Sequence, residues 1–444
     1  MPADPQIFER IAAAARASGV TEIEAIITTE SHALTRFANN VIHQNVAERS
    51  THISVRPVIG GRTARASTNR SDPDSIRGVV DQAIALTRLT EPDPDLLPLA
   101  EASPVPPAAR YYESTALSTP DSRARAVAGA IDAARSFGQT AAGIYSTEVS
   151  TSSIFNSRGV ALEHRETMGR FAITVMDRDG AGWAKASACD ALAISPRDLA
   201  ARAAEKAVRS RAPREIPPGR YTVILEPAAV LDLAGQMAPD FSATTLRDGR
   251  GFLTGRIGAK LFGDNISVYD DAYHPGQAGA PFDAEGVPRC RLTLVDRGIV
   301  RDIARSRQAA ALDGVEPTGH GFPLPNEIGE APMNIVFAGG ETSLGEMIAS
   351  TDRGILVTRL WYIREVDPYE KIFTGMTRDG TFLVEDGRII CGLRNFRFNQ
   401  SLIEMLSSVQ QLSPAERASG EETFDMVVPA MKVSGFHFTE VTKF

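Results

Sequence analysis

Apolar residues recur at helical spacing near the start of the chain, where Ile7, Ile11 and Ala15 mark one face of an amphipathic helix. The pattern then changes to short runs of alternation. TEIEAIITTESHALTRFANNVIHQ and THISVRPVIGGRTARAST read as strands, with the Gly60–Gly61 pair as a hairpin turn. A second helix starts near 73, where Ser71 or Asp72 can cap it and Pro73 occupies the first turn. Residues 91–107 are acidic and proline-rich and read as an extended connection. Pro120 and Asp121 open a helix to about 138. Residues 143–190 then read as a meander with turns at Asn156–Gly159 and Asp177–Gly182, and Ser195–Pro196 opens a helix to about 211.

A break at 213–220 precedes the short apolar strand YTVILEP. Beyond 280 short strands and Gly turns dominate (RLTLVDRGIVRD, MNIVFAGGET, GILVTRLWYIREV, GTFLVEDGRIICGLRNF), with helices at SLGEMIAS and within FNQSLIEMLSSVQQL. The tail DMVVPAMKVSGFHFTEV alternates like a strand. The elements therefore come in runs, which is an α+β arrangement. The expected division is an N-terminal domain over 1–215, a mixed sheet with packed helices, and a β-rich domain over 216–444.

Composition narrows the function. The 444 residues carry a net charge of −8 with a pI near 5.5, unsuited to phosphate-backbone binding. No run of eighteen or more apolar residues is present, so no membrane span is expected. The N-terminus lacks the basic and then apolar segments of a signal peptide. Three widely separated cysteines, Cys189, Cys290 and Cys391, offer neither a CxxC pair nor a disulfide framework, and a reducing, cytoplasmic location is expected. None of the seven histidines belongs to an HExxH or HExxxH string. GxSxG and both glycine-rich nucleotide signatures are also missing. The glycine-rich stretch 246–258 lacks the lysine and hydroxyl of a phosphate cradle and reads as a loop. PTGHGFP (317–323) sets His320 between two glycines, which suits a positioned imidazole and an exposed turn equally.

TRFANNVIHQN (35–45), FDAEGVPRCRLTLVDRGIV (282–300), PTGHGFP, TRDGTFLVEDGRI (377–389) and MVVPAMKVSGFHF (426–438) together resemble the TldD/TldE (PmbA) peptidase family, in the family's order and over nearly the whole chain. The resemblance implies a cytosolic protein and two kinds of chain. TldD-like chains carry an HExxxH helix and a later cysteine as metal ligands, and TldE-like chains share the fold without the metal site. The two pair around an enclosed peptidase chamber, where peptides are expected to bind by main-chain pairing with a strand.

On the family's pattern, aligned at Gly235, the first histidine falls on Leu231, the glutamate on Asp232 and the second histidine on Gln236. The segment RASGEETFD, where the late cysteine is expected, has none. The chain therefore resembles the TldE-like kind. No cofactor is expected in it; zinc is expected in a TldD-like partner, and peptides are the expected substrates. An ordinary helix is expected around 231–236, with Asp232 and Gln236 solvated or at an interface, and a vestigial place facing the shared cavity as the competing reading. His320 with Thr318, and Trp361 with Arg364, are candidates for the cavity or the partner interface, with core packing the competing reading for Trp361. The alternatives are a self-contained hydrolase of small amino-acid or peptide conjugates using His320, Cys391 or nearby carboxylates, and a homodimer that binds peptides without cutting them.

Overall fold

A computed structural model describes residues 4–442. Helix α1 (Asp4–Ala17) places Ile7, Ile11 and Ala15 against the first sheet, as the spacing predicts. That sheet has the order β3-β2-β1-β5-β6-β7, and β4 also pairs with β2. Its strands are β1 (Ile23–Ala38), β2 (Val41–Ile59), β3 (Arg62–Thr63), β4 (Ala66–Thr68), β5 (Thr140–Asn156), β6 (Ala161–Asp177) and β7 (Gly180–Ala188).

The β1–β2 hairpin is far longer than the short runs of the sequence pattern. It turns at Asn39–Asn40, both with positive φ, as a tight hairpin turn demands. Gly60–Gly61 makes the next turn, also at positive φ. All the strand pairs of this sheet are antiparallel, whereas a mixed sheet is expected from the sequence; β1–β2 and β5–β6–β7 are joined by short turns, and β5 returns antiparallel beside β1 after the helical connection between β4 and β5.

One end of the sheet is covered by α1 and α2 (Pro73–Leu89), the latter capped by the Asp72 carboxylate. After the coil at 91–107 and the short α3 (Glu113–Ala116), the other end is covered by α4 (Pro120–Ser136) and α5 (Pro196–Arg209). The central sheet thus runs continuously from residue 23 to 188.

The C-terminal half holds two sheets. In one, β8 (Gly219–Leu225), β13 (Arg353–Asp367), β14 (Ile372–Glu385), β16 (Phe396–Ser401) and β20 (Met431–Val441) pair in a ring, because β13 meets both β8 and β14. Closure removes the free edges that an open five-stranded sheet would expose. β15 (Arg388–Gly392) and β17 (Val409–Leu412) attach outside the ring. The other sheet has the order β11-β10-β9-β12-β19-β18, built from β9 (Val268–Asp270), β10 (Leu292–Asp296), β11 (Ile299–Val300), β12 (Ile335–Phe337), β18 (Glu416–Ala418) and β19 (Met426–Val428). The largest apolar core lies between these two sheets and encloses α6 (Pro227–Ala234), which follows β8 directly. Among the described residues no helix is long and apolar enough to cross a membrane.

Candidate functional site around Asp232 and the 419–425 turn

Helix α6 is apolar on nearly every side, and a helix of that kind belongs in a core. Residues 229–234 are all fully buried. Leu231 packs in the main apolar cluster. The regular helix expected over 231–236 does not continue: residues 235–240 tighten into a 3₁₀ turn. Pro239 stands inside that turn and has no N–H to donate to an α-helical bond.

Asp232 is 0% exposed, which overturns the solvated or interface placement expected for it. The carboxylate is held from across the chain. Oδ1 accepts the backbone N–H groups of Glu421 and Glu422, both at 2.9 Å. The hydroxyl of Thr423 donates to the Leu231 carbonyl at 3.1 Å, so the turn is tied to the helix at two successive residues. Gln236 is half-buried, and its side-chain nitrogen donates to the Asp232 carbonyl at 3.1 Å. A Cβ on Gly420 would lie 2.0 Å from Asp232 Oδ1, so the closeness of turn and helix depends on glycine there. Asp232 Oδ2 is buried without a hydrogen-bond partner among the described residues. Burial pushes the carboxyl up to about 6, against the opposing pull of the two N–H donors.

Around this contact the C-terminal domain and the central sheet close on the 419–425 turn. Lys185 Nζ on β7 donates to the Gly420 carbonyl at 2.5 Å and meets Glu421 at 3.3 Å. Ser187 donates to Asp425, and Arg417 bridges Ser187 and Asp425. Glu422 accepts the Tyr362 N–H at 2.6 Å and lies 3.7 Å from Arg364. Arg364 is exposed and lies over the Tyr362 ring. Trp361 is half-buried, with its ring against both Arg359 and Arg378. Arg359 is buried between Trp183 and Trp361 and pairs with Asp379. Trp361 and Arg364 therefore share one surface region with the turn that Asp232 holds.

His320 and Thr318 fall elsewhere, and not in a cavity or at an exposed surface. His320 is 1% exposed; its Nδ1 lies 2.9 Å from Thr318 Oγ1 and its Nε2 lies 3.0 Å from Asp270 Oδ1. Thr318 is itself buried and closes a loop by bonding the backbone of Arg305. Burial raises the Asp270 carboxyl, but His320, the charge of Arg289 and the Asn334 amide outweigh it and hold the group below its usual range. Two flanking glycines serve the packing: a Cβ on Gly319 or Gly321 would meet neighbours at 2.2 Å. Cys391 lies on β15, outside the barrel ring, whereas His320 stands against β9 of the other sheet. The structure gives them no common site.

Leu231 has no donor atom, Asp232 Oδ1 is committed to two amides, and the Gln236 nitrogen donates to a backbone carbonyl. The 417–425 segment adds carboxylates but no cysteine. Among the described residues no group of three or more His, Cys, Asp or Glu side chains could hold a metal ion. The donor set does not fit the family's metal.

Several residues escaped the sequence reading. Lys185, Trp183 and Glu422 carried no local signal, because their partners are distant in the chain. Asp379 lies within a string that marks the family and has positive φ, a feature an Asp-Gly turn announces.

Three family profiles match: the PmbA/TldA metallopeptidase domain 1 over 23–87, the central domain over 109–211 and the C-terminal domain over 218–440. The chain belongs to this PmbA/TldD family. It is 24% identical to metalloprotease PmbA of Escherichia coli O157:H7 over 412 residues, covering 89% of this chain and 84% of that one. It is 26% identical to a metalloprotease of Methanothermobacter thermautotrophicus over 294 residues, covering 60% of this chain and 62% of the relative, somewhat less than two thirds of its length. The crystal structure of TldE from Thermococcus kodakarensis superposes with a TM-score of 0.88 at 20% identity, covering 98% of this chain and 100% of the other.

Proposed function

We propose that this chain is the metal-free, TldE-like subunit of a heteromeric cytoplasmic metallopeptidase. It completes a peptide-binding chamber, and a TldD-like partner carries the zinc. The observation that carries this reading is the fate of the three positions the family uses for metal chemistry. Leu231 is core, Asp232 is spent on holding the 419–425 turn, and Gln236 bonds the helix backbone. Carboxylate–amide bonds hold the helix and the turn together there, so their packing does not depend on a bound ion.

The unpaired edge of β2 suits the assembly. Residues 41–50 are paired by β1 on one side and by no strand on the other among the described residues, and nearly all are exposed. Such an edge offers main-chain groups to a partner strand or to a peptide regardless of its sequence. Peptides, either for general clearance or for maturation of one product, are the substrates on this reading. The test is co-purification with a TldD-like chain, followed by metal analysis and peptide cleavage on each chain and on the mixture. Zinc and cleavage should reside in the mixture and the partner; cleavage by this chain alone in the presence of chelator would overturn the reading.

A further inference from the structure

A cleft of about 440 Å³ lies between the central sheet and the C-terminal domain, beside the 419–425 turn. Its walls combine apolar and charged groups. Met168, Met333 and Phe424 supply the apolar part. Three acids line it, and each already has a partner. Glu148 pairs with Arg170 at 3.4 Å, and Asp425 with Arg417 at 2.9 Å. Glu166 accepts the Gly279 N–H at 2.6 Å and has His164 at 3.8 Å. Each nitrogen of Arg417 is engaged, since it also donates to Ser187 and to the Gly276 carbonyl.

Arg289 differs. It lines the same cleft, yet its Nε and Nη1 are buried with no hydrogen-bond acceptor among the described residues. Asp270 and Asp283 feel its charge, but Asp270 is taken by His320 and Asp283 by the N–H groups of Glu285, Val287 and Gly321. Those two nitrogens are closed to solvent, so a ligand in the cleft meets the half-buried guanidinium at its remaining edge, and a guanidinium matches a carboxylate in shape and charge.

We propose that this cleft binds a carboxylate carrying an apolar side chain, the C-terminal residue of a peptide above all, with Arg289 on the carboxylate and Met168, Met333 and Phe424 around the side chain. It would add an end-specific contact to the sequence-tolerant main-chain pairing of the proposed chamber. The inference stands on the cleft and not on the heteromer. The full chain alone suffices to test it, so failure of either reading leaves the other standing.

Calorimetric titration of the full chain with N-acetyl-leucine, N-acetyl-leucinamide and N-acetyl-Ala-Ala-Leu tests the proposal. The acids should bind at least about tenfold more tightly than the amide, the span of one charge-assisted contact. Tighter binding of the tripeptide acid assigns the site to peptide ends, and equal binding of the two acids assigns it to small amino-acid conjugates. Arg289→Gln should abolish the preference and Arg289→Lys should keep part of it, with unchanged circular dichroism. Equal binding of acid and amide, no binding of either, a preference that survives Arg289→Gln, or sulfate binding as tightly as the acids would overturn the proposal.

Discussion

Asp232 Oδ1 receives the backbone N–H of Glu422 at 2.9 Å, joining residues that are 190 positions apart. The same oxygen receives the neighbouring N–H of Glu421. A fully buried carboxylate thus fixes the turn that borders Arg364, Trp361 and Lys185.

Asparagine keeps the accepting oxygen at 232 and removes the charge. Asp232→Asn should therefore be at least as stable as the parent at pH 8. Asp232→Ala leaves two buried amides without an acceptor and should cost about 1–3 kcal/mol for each donor left unmet. Urea denaturation of both variants at one pH measures the difference.

The raised carboxyl also predicts a pH dependence. The folded group keeps its proton up to about pH 6, whereas the unfolded group loses it near the ordinary carboxylate value of 3.8. Between those values the folded state binds more protons, so the contribution to stability falls as pH rises through this window and is flat above it. At about 1.4 kcal/mol per pKa unit, the change is at most about 3 kcal/mol. Subtracting the Asp232→Asn stability profile from the parent's should isolate this slope; identical profiles would contradict it.

Gly420→Ala places a methyl group 2.0 Å from Asp232 Oδ1, and neither the buried carboxylate nor the tied turn can yield freely. Overpacking of this kind costs about 1–3 kcal/mol. Hydrogen exchange at the Glu421 and Glu422 amides should accelerate in the variant while exchange in the first sheet stays unchanged.

His320→Ala removes one partner of a buried carboxylate, Asp270, and leaves it the Asn334 N–H and the charge of Arg289. Breaking a buried pair from one side costs about 3–5 kcal/mol. Thermal melting should show a large loss of stability. If the variant melts like the parent, the buried pair contributes nothing and the structural role is wrong.

The sequence made the loss of metal chemistry visible because a ligand is a residue type at a position, and Leu231 and Gln236 announce themselves. It could not show the burial of Asp232, whose partners are backbone amides of distant residues and have no side-chain signature. His320 misled for a related reason. Its flanking glycines resemble an exposed turn, but they admit close packing, and its carboxylate partner sits on a three-residue strand. The sequence pattern shows only short runs along the long β1–β2 hairpin because residues 43–50 are exposed on both faces, so no apolar alternation marks them. The helices, by contrast, carry their own boundaries: Asp72 with Pro73 and Ser195 with Pro196 cap them where expected, and Pro120 opens the helix that Thr119 caps.

The central claim is that this chain supplies fold and peptide contacts to a metal site held by another chain. The most direct measurement is zinc content and peptide cleavage for this chain, for a TldD-like chain and for their purified mixture. The account predicts no stoichiometric zinc and no cleavage with this chain alone, and a stable heteromer whose cleavage exceeds that of the partner alone. Stoichiometric zinc in the isolated chain, or peptide cleavage by it that persists in chelator, would contradict the account.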